Sequence, residues 1–301
     1  MSFDNAYESL AQDHEDESRW AYGTGFADPM SAVDRALPAG VDPLDLAQYC
    51  LMLGDDGLIL AQRLSAWCAR APELEEDVAL ANIALDLLGQ ARLLLTRAGD
   101  VLGRDEDSLA FFRDEHEFRN VALCEAPDGS PGAAGIGDFG FAIARLLVFS
   151  TWRLALFSQL EASRDPVLSA VAAKGVKELA YHRDHAVHWT VRLGDGTDES
   201  RARMQAGLDA VWPYVDELFV PHEVESRLAA AGVAVDPASL RSPVFEVLDT
   251  VLPVATLRRP DLPGLARVGG RAGRDGVHTE AMGYLLAELQ SVARAHPGAS
   301  W

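Results

Sequence analysis

"KELAYHRDHAVHW", residues 177–189, places a glutamate and three histidines within thirteen positions. It is a metal site, the remains of one, or an ordinary polar helix, and the choice decides what kind of bundle surrounds it. With 100° between successive helical residues, Lys174, Glu178, Tyr181, His182, His185 and His188 share an arc of about 120°. Val171 and Trp189 fall in the same arc, above and below. Apolar residues bracketing a polar cluster argue that it faces partly inward. A solvated surface stripe is the competing reading.

The segments on either side are helical as well. Asp165-Pro166 supplies an N-cap and a first-turn proline for this helix, and Gly194 ends it. Before it, Asp138 starts a helix that runs to about Ala162. Two more helices lie further upstream, "PLDLAQYCLMLGDDGLILAQRLSAWCAR" (43–70) and "PELEEDVALANIALDLLGQARLLLTRAG" (72–99). Residues 104–137 form a long connection with a short helix, "SLAFFRDEHEFRN", and an irregular end, "APDGSPGAAGIG". Further helices are expected at about 199–219, 221–231, 243–257 and 278–295. Two helices, a long crossover and two more is the connectivity of a ferritin-like bundle. The predicted fold is therefore all-α, a ferritin-like four-helix core with additional C-terminal helices, spanning 41–301. Residues 1–40 are acidic and poor in aliphatics up to "LPAGVDP", and read as a disordered extension.

A di-iron or di-manganese centre in such a bundle takes one carboxylate from each of two helices and Glu-x-x-His from each of the other two. Three residues before each histidine stand Ala11, Arg113, Leu179, His182, His185, Phe219, Asp275 and Ala293. Only His278 follows a carboxylate, Asp275, and that pair sits in a Gly-rich turn. Between Phe139 and Leu160 there is no acidic residue; Arg145 and Arg153 are the only charges. A generous ligand set is one of Asp55 or Asp56, then Asp86, Glu178 and His182. It is short of ligands and lacks a whole helix, so no metal is expected on this chain and these residues are candidates for a vestigial centre. Asn82, Asp86 and Gln90 make a polar stripe between two apolar ones, and it is either a solvent face or internal. If internal, Asp86 needs a countercharge. Lys174 or Lys177, the only lysines among 26 basic residues, is expected to supply it.

Composition narrows the function further. A formal charge of −20 disfavours binding to nucleic acid or to anionic membranes. Polar residues are expected to interrupt every run of membrane-spanning length, and the acidic N-terminus has no apolar signal region. Cys50, Cys68 and Cys124 lack CxxC spacing and read as reduced packing residues in a cytoplasmic protein. "RVGGRAGRDGVHTE" (267–280) could form a phosphate cradle, but it lacks the Gly-Lys-Ser/Thr ending of a P-loop and reads as a structural turn.

"ALANIALDLLGQAR" (79–92), "FFRDEHEFRN" (111–120), "KGVKELAYH" (174–182), "VAVDP" (233–237) and the terminal "GVHTEAMGYLLAELQSVARAHPGASW" (276–301) together resemble the C-subunit family of bacterial phenylacetyl-CoA epoxidases. The resemblance runs from about residue 45 to the C-terminus. It departs at the acidic extension and at "GSPGAAGIG" (129–137). It implies a metal-free ferritin-like subunit with no catalytic residue and no cofactor of its own. The implied partners are a homologous catalytic subunit holding the di-iron centre and the CoA ester, and an iron–sulfur flavoprotein reductase. Together they would epoxidise the aromatic ring with O₂ in aerobic phenylacetate breakdown. The alternatives are a helical scaffold with no enzyme partner and a di-iron oxidase with an unusual ligand set.

Overall fold

The computed structural model describes residues 33–128, 137–265 and 267–299. Within them are ten α-helices and short 3-10 turns, with no strand beyond an isolated bridge between Val268 and Arg271. Four long helices build the core: α1 (Pro43–Ser65), α2 (Leu74–Leu102), α5 (Phe139–Leu160) and α6 (Pro166–Gly194). The crossover between the two pairs holds α3 (Glu106–Phe111) and α4 (Ala122–Glu125). After the core come α7 (Asp198–Val211), α8 (Glu223–Ala230), α9 (Arg241–Val254) and α10 (Glu280–Ala295). The expected connectivity is present.

Local signals start and stop these helices. Oδ1 of Asp42 accepts the Leu44 amide at 2.8 Å, with Pro43 in the first turn. Asp138 and Asp165 cap α5 and α6 in the same way, accepting Gly140 N at 2.7 Å and Leu168 N at 2.9 Å. Helix α2 ends where Gly103 takes the left-handed conformation, φ 66°. The predicted single helix over 108–120 is broken, because Asp114 caps a separate 3-10 turn, Glu115–Glu117. The helix expected over 199–219 likewise ends at Val211 and continues as 3-10 turns around Pro213.

Packing follows the apolar faces. Helix α1 is buried on every side from Met52 to Ala61, Asp55 and Asp56 included. It lies against α2 through Ile83, Leu87, Ala91 and Leu94 of the latter. Each such leucine or isoleucine contributes about 1.5–3 kcal/mol on burial. The approach is close: a Cβ on Gly57 would stand 2.9 Å from the Leu87 carbonyl oxygen. Helix α5 is buried along almost its whole length, with α6 and α7 against it, and α2 meets α6 to close the bundle.

One sequence expectation needs correction here. By length and composition, α2 and α5 are apolar enough to cross a membrane, so polar residues do not interrupt every such run. A bundle-core helix satisfies the same criterion, and 89% of the α5 window is buried inside the protein, against 44% for α2. Residues 1–32 of the acidic extension lie outside the described residues, as do 129–136 of the "GSPGAAGIG" loop. Residues 33–40 are irregular but held: Val33 packs on the core, and Arg97 donates to the Arg35 carbonyl at 2.7 Å.

Candidate functional site

Asp55 and Asp56 are adjacent on the most enclosed helix, so both carboxylates are fully buried while pointing about 100° apart. A buried carboxylate must be neutralised or carry a counter-ion. Arginine meets both. Asp55 faces the crossover, where Arg113 grips it with both terminal nitrogens, Nη1 at 3.0 Å from Oδ2, and the Arg119 amide donates at 2.8 Å. Asp56 faces the C-terminal segment. Arg274 donates to its two oxygens at 2.9 and 2.8 Å, and the Val121 amide adds a bond of 2.9 Å. Nη1 of Arg153, from α5, stands 3.6 Å from the same carboxylate while Nη2 donates to the Leu53 carbonyl at 2.9 Å.

Arg153 lies over the Phe157 ring, 4.5 Å from its centroid. Burial pushes its pKa down to about 10, with Asp56 opposing the shift, so it remains a cation at neutral pH. For Arg274, burial also works against the charge. Asp56, Glu225 and Glu217 more than offset it and hold the guanidinium above its ordinary value. Two anions and three cations thus occupy the interior beside α1.

A second set of buried acids joins the crossover to the C-terminal segment. Glu125 accepts from Asn120 Nδ2 at 2.8 Å and the Thr279 amide at 2.5 Å, and His278 Nδ1 lies 2.7 Å from it. Burial alone would lower the His278 pKa, but the hydrogen bond and charge of Glu125 raise it. Glu217 accepts from the amides of Ala122 and Gly273 at 2.9 and 3.0 Å. Its pKa is raised by burial, with those amides and Arg274 opposing.

The remaining sequence candidates lie on the seam between α2 and α6. His182 Nε2 is 2.9 Å from Asp86, Gln90 donates to Glu178 at 3.0 Å, and His185 approaches Glu76 to 3.1 Å. Burial lowers the His185 pKa, against the pull of Glu76. The six-residue arc on α6 is therefore split: His182 is buried, Glu178 and His185 are partly covered, and Lys174, Tyr181 and His188 are exposed. The polar stripe of α2 is graded too, from exposed Asn82 through Asp86, whose side chain is 40% exposed, to buried Gln90. The expected lysine countercharge for Asp86 is not there. Lys177 is exposed, and Lys174 pairs with Glu178 at 3.2 Å on the surface. Solvent and His182 already compensate Asp86.

The candidates therefore form two groups, Asp55 with Asp56 and Asp86 with Glu178 and His182, rather than one ligand sphere. Whether they could hold a di-iron centre is decided by their partners. Asp55 and Asp56 each have both oxygens engaged by a guanidinium, which stays charged at all accessible pH. Helix α5 contributes Arg153 to the interior in place of a carboxylate. Among the described residues no group of three or more His, Cys, Asp or Glu is placed to bind an ion. These residues do not fit a di-iron centre.

Arg113, Arg274 and the Glu125–His278 pair escaped sequence reasoning because their partners are remote in the chain. One signal was available: Arg145 and Arg153, alone on an apolar helix, implied anions inside. The Gly-rich turn aims Arg274 inward and leaves Arg267 and Arg271 exposed, as a structural turn does. Cys50 and Cys124 are buried packing residues with thiol pKa values raised by burial, whereas Cys68 is exposed and does not pack.

Residues 32–301 match the family of phenylacetic acid catabolic proteins, and the chain belongs to that family. The helical architecture of the described residues is its ferritin-like fold. Among characterised relatives, the chain is 44% identical over 257 residues to the C-subunit of the 1,2-phenylacetyl-CoA epoxidase of Escherichia coli K12. That match covers 85% of this chain and 99% of the relative.

Proposed function

We propose that this chain is the metal-free structural subunit of a multicomponent phenylacetyl-CoA epoxidase, supporting a homologous di-iron catalytic subunit. The overall reaction places one oxygen atom of O₂ in the aromatic ring and reduces the other to water, consuming two electrons from a separate reductase and two protons from solvent. One observation carries the structural role. The paired carboxylates at the centre of the bundle, Asp55 and Asp56, are saturated by Arg113, Arg274 and Arg153. The near full-length similarity to an epoxidase C-subunit supports the pathway and the existence of further subunits.

A fixed guanidinium network gives the bundle an interior that needs no ion to hold its shape. A catalytic homologue must keep several carboxylates at metal spacing, and a rigid neighbour helps hold its helices there. The test is elemental analysis of the chain purified alone after iron-replete expression, with O₂ uptake measured in the presence of reductase and phenylacetyl-CoA. Sub-stoichiometric iron and no uptake are expected. About two irons per chain, or turnover by the chain alone, would replace this reading with the di-iron oxidase.

A further inference from the structure

The Gly-rich turn of the C-terminal segment is a short hairpin. Gly269 and Gly270, at φ 61° and 82°, reverse the chain in the left-handed region, and Val268 and Arg271 exchange backbone bonds of 3.1 Å. Just upstream, the Leu265 amide donates to the Pro213 carbonyl at 2.8 Å. The hairpin is thereby held against the 3-10 turns that follow α7, and a cleft of about 200 Å³ lies between them. Pro213, Val220, Leu265 and Val277 give it an apolar wall, and Arg267 and Arg271 line it as well.

The charges around this cleft are unequally matched. Both carboxylates on its wall already have partners. Asp216 accepts from Arg241 at 2.9 Å, and Glu217 accepts the Ala122 and Gly273 amides. Neither arginine has a carboxylate among the described residues. Arg271 donates to the Asp275 carbonyl at 3.0 Å, and the Arg267 guanidinium makes no hydrogen bond there. With 46 acidic residues against 26 basic ones, most arginines have an acid available, yet these two share one cleft without one. Behind them, both ring nitrogens of His278 face acceptors, Glu125 at 2.7 Å and the Phe118 carbonyl at 3.2 Å, which suits an imidazolium. Thr279 adds a buried hydroxyl with no hydrogen-bond partner among the described residues.

We infer that this cleft binds a small amphipathic monocarboxylate, its anion on Arg267 and Arg271 and its apolar body against Val220, Leu265 and Val277. Guanidinium forks match a carboxylate in geometry as well as charge. Inorganic phosphate would satisfy the arginines but leave the apolar wall uncovered. The volume lies below the roughly 300–1,000 Å³ of sites for drug-sized ligands, which limits the occupant to a small acid. The adjoining hollow of about 320 Å³ is lined by Glu223 and Asp275, which repel an anion. A bound acid would tie the hairpin to the turns after α7, and so brace the segment that carries Arg274. The proposal does not depend on the epoxidase reading.

The experiment is calorimetric titration of the full chain with benzoate, hexanoate and inorganic phosphate. Wild type is compared with Arg267→Ala, with Arg267→Ala plus Arg271→Ala, with Leu265→Ala, and with Arg258→Ala as an exposed arginine outside the cleft. At least one of the two acids should bind wild type one-to-one with a Kd at or below about 1 mM, within reach of a ligand of about nine non-hydrogen atoms. Phosphate should bind more weakly. The double variant should lose at least about tenfold in affinity, as loss of a bidentate charged contact does. Leu265→Ala should lose a smaller factor, and Arg258→Ala none. Arg267→Ala alone should already weaken binding. It removes no hydrogen bond from the chain, so a folding defect cannot stand in for lost affinity.

No saturable binding of either acid at ten times that concentration would overturn the site. Wild-type affinity in the double variant would place any binding elsewhere and overturn it equally. Phosphate that binds as tightly as the acids, with Leu265→Ala unchanged, would overturn the amphipathic ligand class.

Discussion

Asp56 and Arg274 lie 218 residues apart in the chain and meet in the core, Nη1 at 2.9 Å from Oδ1 and Nη2 at 2.8 Å from Oδ2. This pair fastens the C-terminal segment to the central helix, and both partners are buried.

Arg274→Met leaves Asp56 with Arg153 at 3.6 Å as its remaining cation. Removing one member of a buried pair costs about 3–5 kcal/mol. The expected outcome is a loss of that size in denaturant titrations, partly restored by adding Asp56→Leu. An unchanged unfolding midpoint would mean that the pair contributes little.

The surface lysines should behave oppositely. Lys174→Met acts on a half-exposed i, i+4 pair with Glu178, and Lys177→Met on a side chain with no ion-pair partner among the described residues. Each should change the stability of the isolated chain by no more than about 0.5 kcal/mol. A loss of several kcal/mol from either would reinstate an internal lysine.

Helix boundaries were legible in the sequence where a cap and a proline or glycine coincide. Asp165, Pro166 and Gly194 bound α6 as expected, and Asp138 caps α5. The interior was much less legible. Periodicity places Asp55 and Asp56 on α1, but only the fold brings Arg113 and Arg274 to them. The polar stripe of α2 proved graded across a helix seam, a gradient that a two-state choice of inside or outside cannot express. The sequence offered two apolar stripes on α2, and periodicity alone does not say which one the fold buries; the stripe with Val78, Leu85 and Leu88 is the exposed one.

Stability should depend on pH through His278. Its folded pKa is raised, so its contribution is fully present below the unfolded value of about 6.5 and is lost as pH rises through the folded value. The stability gap between wild type and His278→Asn should therefore be widest at acidic pH and narrow as the pH rises above neutrality. A gap that does not change over that range would show that the Glu125 contact is not linked to protonation.

Gly57→Val would drive a side chain into the Leu87 carbonyl at a backbone contact that cannot rotate away. Overpacking of this kind costs about 1–3 kcal/mol. Thermal denaturation should show the loss, whereas Gly89→Ala, facing open space, should raise stability by up to about 1 kcal/mol.

The structural-subunit claim is tested most directly by reconstitution. The catalytic subunit and reductase are supplied with O₂ and phenylacetyl-CoA, with and without this chain, while substrate consumption and the catalytic subunit's iron occupancy are followed. Activity and iron retention are expected to require the chain. Full activity of the catalytic subunit in its absence would contradict the structural role.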